Sequence, residues 1–123
     1  MNDYRLESPP ILRDFLSYHE TIKAHSQKTV DEYFLDLRNF FRYLKQSRDP
    51  ALRDLPLSEI SIMDVDLDFV KNVTLTDIYA YMTYLSRDRV QHQNSDISDY
   101  GLNAASRARK IATFRSFYNY LVN

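Results

Sequence analysis

The stretch "SQKTVDEYFLDLRNFFRYLKQS", residues 26–47, leaves the surrounding chain few folding options. Val30, Tyr33, Phe34, Leu37, Phe40, Phe41 and Leu44 return every three or four residues and form one broad apolar helix face. A face that wide must be covered by other elements. One glycine and four prolines in 123 residues supply little material for tight hairpins, so the covering elements are expected to be helices. The expected class is all-α. At this length, with 44% hydrophobic residues, 1–123 reads as a single domain able to bury a core without covalent staples. The absence of cysteine removes disulfides and thiolate metal sites and fits a reducing compartment.

Three further helices are expected. Ser8 before Pro9 and Pro10 predicts a start, with serine as the cap. Ile11, Phe15, Tyr18 and Ile22 predict the first seam, Leu12 and His19 widen it, and His25 falls just past its end. Ser26 predicts the cap of the second helix. Its wheel is sided, with Lys28, Arg38, Arg42 and Lys45 on one flank and Glu32, Asp36 and Tyr43 on the other. Residues 57–73, "LSEISIMDVDLDFVKNV", have short apolar bursts without a sustained period and read as a long connection with a turn or two of helix. Thr74 or Thr76 caps a third helix through Ile78, Tyr81, Met82 and Leu85 to about Arg89. "DRVQHQNSDISDYG" reads as a loop, and Asn103 as the cap of a fourth helix with Ile111, Phe114, Tyr118 and Leu121 as its seam and Phe117 alongside.

The net charge of -1 hides a segregation. Residues 102–123 hold Arg107, Arg109, Lys110 and Arg115 and no acid, whereas 54–77 hold six acids against Lys71 alone. The second and fourth helices share a polar, cationic beginning followed by an aromatic seam. Free backbone amides, the positive end of the helix dipole and nearby Lys or Arg suit phosphate, so such a pair can straddle duplex DNA. A solvated helix face explains the same charges more plainly. A helical protein-interaction module, docking through the acidic crossing and the aromatic seams, is the rival reading.

Several chemistries lack their parts. His19, His25 and His92 show no paired metal-ligand spacing, and one glycine cannot build a phosphate loop or a nucleophile elbow, so no cofactor or small-molecule ligand is expected. Tyr18, Tyr33, Tyr81 and Tyr118 fall at seam positions, where burial accounts for them; Tyr43 and Tyr79 are the tyrosines expected outside. "MNDYRLESPP" lacks a basic stretch followed by an apolar run, and no segment approaches a membrane span. A cytoplasmic protein without membrane contact is the expectation.

"SQKTVDEYFLDLRNFFRYL" resembles the S-x-x-T-x-x-x-Y-x-x-D-L-x-x-F-x-x-Y-L signature of the N-terminal domain of tyrosine recombinases, the phage integrase family. Ser26, Thr29, Tyr33, Asp36, Leu37, Phe40, Tyr43 and Leu44 carry the match. "NAASRARKIATFRSFYNYL" looks like that domain's last helix and "VTLTDIYAYMTYL" like its third, in order along the chain. The long connection and the polar loop look like the Xer-like branch. The resemblance implies a SAM-like, core-binding four-helix orthogonal bundle that forms half of a clamp around double-stranded DNA and touches neighbouring recombinase protomers. It implies DNA contacts from Ser26, Lys28 and Thr29 on the second helix and from Arg107, Arg109 and Lys110 on the fourth. Arg38 and Arg42 on the basic flank, and Ser106 and Thr113 at the exposed end of the fourth helix, are expected to join them. Arg115 matches a family arginine and fits a structural role equally. The family's nucleophilic tyrosine and its arginine, lysine and histidine helpers belong to a second domain. No H-x-x-R occurs here, so binding without catalysis is the implied role.

Overall fold

The computed structural model describes residues 6–91 and 104–122. All the regular structure among them is helical: α1 (Pro10–Ser17), α2 (Gln27–Arg48), α3 (Leu67–Lys71), α4 (Leu75–Gln91) and α5 (Ala104–Val122). A π-helical turn, Tyr18–Ile22, continues α1, and two 3-10 turns, Pro50–Leu52 and Leu57–Glu59, interrupt the connection after α2. The expected second, third and fourth helices are α2, α4 and α5, and α3 is the short helix expected inside the long connection. The chain divides into two compact units, Met1–Asn72 and Val73–Asn123.

In the first unit α2 is the central rod. Val30, Phe34, Leu37, Phe40, Phe41 and Leu44 are all buried, as the period requires. Each such side chain contributes roughly 1.5–3 kcal/mol by leaving water, so this face dominates the stability of the unit. Asp36 is buried as well, not on the exposed flank to which the wheel assigned it.

Against α2 lies α1, whose start and seam differ from expectation. Pro9, not Ser8, is the N-cap, and its carbonyl accepts from Leu12 N at 3.0 Å and Arg13 N at 2.9 Å. The buried stripe is Leu12, Phe15, Leu16 and His19, while Ile22 is 70% exposed. The π turn accounts for the exposure of Ile22, which lies within it. Lys23 N donates to Tyr18 O at 3.1 Å, an i→i+5 bond that widens the turn and shifts the phase of the residues after it. Ala24, at φ 54°, then reverses the chain into α2.

The connection after α2 supplies the rest of the core. Ile60, Ile62, Val65 and Val70 are buried, while Ser61, Met63 and Asp64 between them are exposed. This near-alternation produces apolar bursts without a helical period. Asp66 caps α3 by accepting from Phe69 N at 3.0 Å, and Phe69 meets the edge of Phe41 with ring centroids 6.0 Å apart.

In the second unit α4 starts with a reciprocal cap. Thr74 Oγ1 accepts from Asp77 N at 3.1 Å, and Asp77 Oδ2 accepts from Thr74 N at 2.9 Å. Tyr81 and Met82 are buried, and Tyr81 packs against Phe114 of α5 at 6.3 Å. On α5 the buried residues are Thr113, Phe114 and Phe117; Ile111, expected in the seam, is exposed. Asn103, expected as the α5 cap, lies outside the described residues.

Candidate nucleic-acid interface

The N-terminus of α2 is fixed by Ser26, whose Oγ accepts from Thr29 N at 3.2 Å and donates to Thr29 Oγ1 at 3.1 Å. Extended backbone at Ser26, φ -66° and ψ 157°, aims the serine oxygen back over the first turn. Lys28 is exposed beside this cap and Thr29 is half-buried. The positive end of the dipole, a hydroxyl pair and a lysine therefore share one exposed helix end.

A ring cluster braces the approach to that end. His19 stacks on His25 at 4.9 Å and meets the edges of Phe15 at 4.6 Å and Tyr33 at 5.0 Å. His25 N donates to His19 O at 2.9 Å, so the residue immediately before the Ser26 cap is tied to the π turn. Burial, then the neighbouring charges of His25 and Lys23, push the pKa of His19 down to about 4. The spacing of 19, 25 and 33 carries no helical period, which is why sequence reasoning missed the cluster. Among the described residues no group of three or more His, Cys, Asp or Glu could hold a metal ion, and His92 lies outside them.

The basic flank of α2 divides into an exposed end and an internally engaged middle. Arg42 Nε donates to Ile60 O at 3.0 Å, and Lys45 Nζ donates to Ser61 O at 2.6 Å and pairs with Asp64. Arg38 lies over the Phe34 ring at 5.3 Å, and both Arg38 and Arg42 reach Glu7. Burial, then the like charge of Arg38, pull the Arg42 pKa down, and Glu7 partly offsets them. The flank thus holds the crossing and the N-terminal segment against α2. Of these polar contacts only the Lys45–Asp64 pair follows the opposite sign of flank and crossing; the others go to backbone carbonyls and to Glu7.

On α5 the cationic start is graded. Arg109 is exposed, whereas Ser106, Arg107 and Lys110 are half-buried and take the same side as the buried residues. Thr113 is 1% exposed and its hydroxyl donates back to Arg109 O at 3.2 Å, one turn earlier. Thr113 is therefore buried in the free chain, not at the exposed end where it was expected. Arg115 is exposed.

Comparison with known proteins places these features in context. The chain is 43% identical over 116 residues to the tyrosine recombinase XerC of Caldanaerobacter subterraneus subsp. tengcongensis, an alignment covering 94% of this chain and 30% of that protein. The chain belongs to the Xer-like tyrosine recombinase family. Other tyrosine recombinases XerC match too: that of Myxococcus xanthus at 32% over 113 residues and that of Chlorobaculum tepidum at 30% over 112. Those alignments cover 92% and 91% of this chain, and 27% and 26% of the relatives. The chain therefore spans less than a third of the length of these recombinases. No family model and no solved structure matches it. Among the described residues no helix is long and apolar enough to cross a membrane.

Proposed function

We propose that 1–123 acts as one non-catalytic, DNA-binding domain of a site-specific tyrosine recombinase, gripping duplex DNA at a recombination half-site. The likeness to XerC over nearly the whole chain is the observation that carries this reading. The α2 end offers the positive end of its dipole with Ser26, Lys28 and Thr29 to phosphates, and the α5 start adds Ser106, Arg107, Arg109 and Lys110. Arg38 and Arg42 reinforce the α2 contact from half-buried positions. Phosphate-transfer chemistry, and much of the assembly with neighbouring protomers, belongs to other parts of the recombinase. A cytoplasmic location accompanies the role.

Affinity is expected to be modest, because few phosphates are neutralised and counterion release is correspondingly small. Fluorescence anisotropy of a labelled short duplex, at low and at moderate salt, tests the reading. Binding that weakens steeply with salt is the expected result. A chain that ignores duplex at low salt refutes the reading and leaves the helical protein-interaction module as the account of its surfaces.

A further inference from the structure

Glu7, Arg38 and Arg42 form a cluster whose members are unequally held. Arg38 Nη1 and Arg42 Nη2 both reach one oxygen, Oε1 of Glu7, each at 3.4 Å. Well-formed charge-assisted hydrogen bonds lie at about 2.7–2.9 Å, so the carboxylate is attracted without being tightly seated. The two arginines, by contrast, are anchored elsewhere. Arg42 Nε is fixed on Ile60 O at 3.0 Å, while Arg38 lies over Phe34 with its Nε reaching Asn39 Oδ1 at 3.3 Å. Their side chains are 13% and 20% exposed, against 44% for Glu7. Two guanidiniums are held in place, with one loosely attached anion between them.

Space exists for a different anion. A cavity of about 250 Å³ opens beside Arg42, lined by Glu7, Glu59, Ser58, Ser61 and Met63 among others; Arg38 stands outside its lining and meets an anion only at the place Glu7 vacates. Displacing Glu7 costs little, because an exposed carboxylate recovers its hydration when it swings out. Leaving Arg38 and Arg42 with no anion costs more, since they are less hydrated and repel one another. An incoming oxyanion with several acceptor oxygens satisfies both forks better than a single carboxylate oxygen does.

We propose that Arg38 and Arg42 form an oxyanion-binding pair that Glu7 occupies in the free chain and yields to a backbone phosphate. The inference rests on the duplex-binding reading and adds an internal competitor to it. Glu7 keeps the pair filled until a phosphate is delivered beside it, so stray anions gain little.

The test follows the arginine Nε–H signals of the whole chain by NMR, in wild type, Glu7→Gln and Glu32→Gln, which removes a charge from the other flank of α2. Inorganic phosphate is expected to move the Arg38 and Arg42 signals, saturating at concentrations about five-fold lower in Glu7→Gln than in wild type or Glu32→Gln. A labelled duplex should move the same two signals and bind Glu7→Gln several-fold more tightly than Glu32→Gln. Equal behaviour of the two variants towards phosphate overturns the proposal, as does duplex binding that leaves both arginine signals in place. Phosphate capture without duplex binding upholds the pair and refutes the duplex reading instead.

Discussion

Acidification from pH 7 to pH 5 is expected to cost the native chain about 2 kcal/mol through one side chain, His19. The residue is 5% exposed, and its imidazole is enclosed by Phe15, Tyr18, Tyr33 and the stacked ring of His25. In the unfolded chain it takes a proton near 6.5; in the native state burial, His25 and Lys23 hold the pKa down to about 4. Between these values the unfolded state binds the extra proton, so stability falls as pH falls. The loss begins as pH drops through the unfolded value, and it levels off below the native one. Each unit of separation corresponds to about 1.4 kcal/mol, so the full penalty is about 3 kcal/mol, of which roughly 2 appears between pH 7 and pH 5. Urea unfolding followed by far-UV circular dichroism at the two pH values measures it. His19→Phe keeps an aromatic ring in the cluster but cannot titrate, so its stability should change much less over the same interval. A variant as pH-sensitive as the wild type refutes the reasoning. Should the variant fail to fold, a wild-type His19 ring signal titrating above pH 6 does so equally.

Three other outcomes are expected from the same geometry. Ser26→Ala removes the α2 cap and is expected to lower stability by about 1 kcal/mol in urea unfolding, whereas Ser26→Asp keeps a capping oxygen. The aspartate should nonetheless weaken duplex binding in the anisotropy assay, because it sets a negative charge where phosphate is proposed to lie. Thr113→Val keeps the shape of a buried side chain but removes the bond to Arg109 O, so stability should fall by about 1 kcal/mol with duplex affinity unchanged. Phe40→Ala empties the centre of the α2 face and is expected to cost about 3–5 kcal/mol, measured as the shift in urea midpoint at constant slope.

The sequence made α2 legible because one unbroken period ran through it, and nearly every residue of that face is buried. In α1 two stripes compete. Ile11, Phe15, Tyr18 and Ile22 keep helical spacing as well as Leu12, Phe15, Leu16 and His19 do, and the π turn takes Ile22 out of the first. A single i→i+5 bond leaves no compositional trace. On α5 a threonine took an apolar place because its hydroxyl could be satisfied within its own helix, which a polarity count does not foresee. Of the candidate interface, the capped α2 end and the cationic start of α5 were readable from capping and charge, whereas the burial that grades those cations was not. The internal engagement of Arg38, Arg42 and Lys45 was not, since it depends on a segment some twenty residues away in one direction and thirty in the other.

The salt dependence of duplex affinity in wild type and in the combined variant Arg107→Ala, Arg109→Ala and Lys110→Ala bears most directly on the α5 contact. Plotted as log affinity against log salt concentration, the wild-type line should be steep, and the variant's shallower by about 2 to 3, near 0.9 for each phosphate no longer neutralised. Urea unfolding should show both chains folded, because Arg109 is exposed and the other two are half-buried at the helix start. Parallel lines of equal affinity from the two chains would contradict the account.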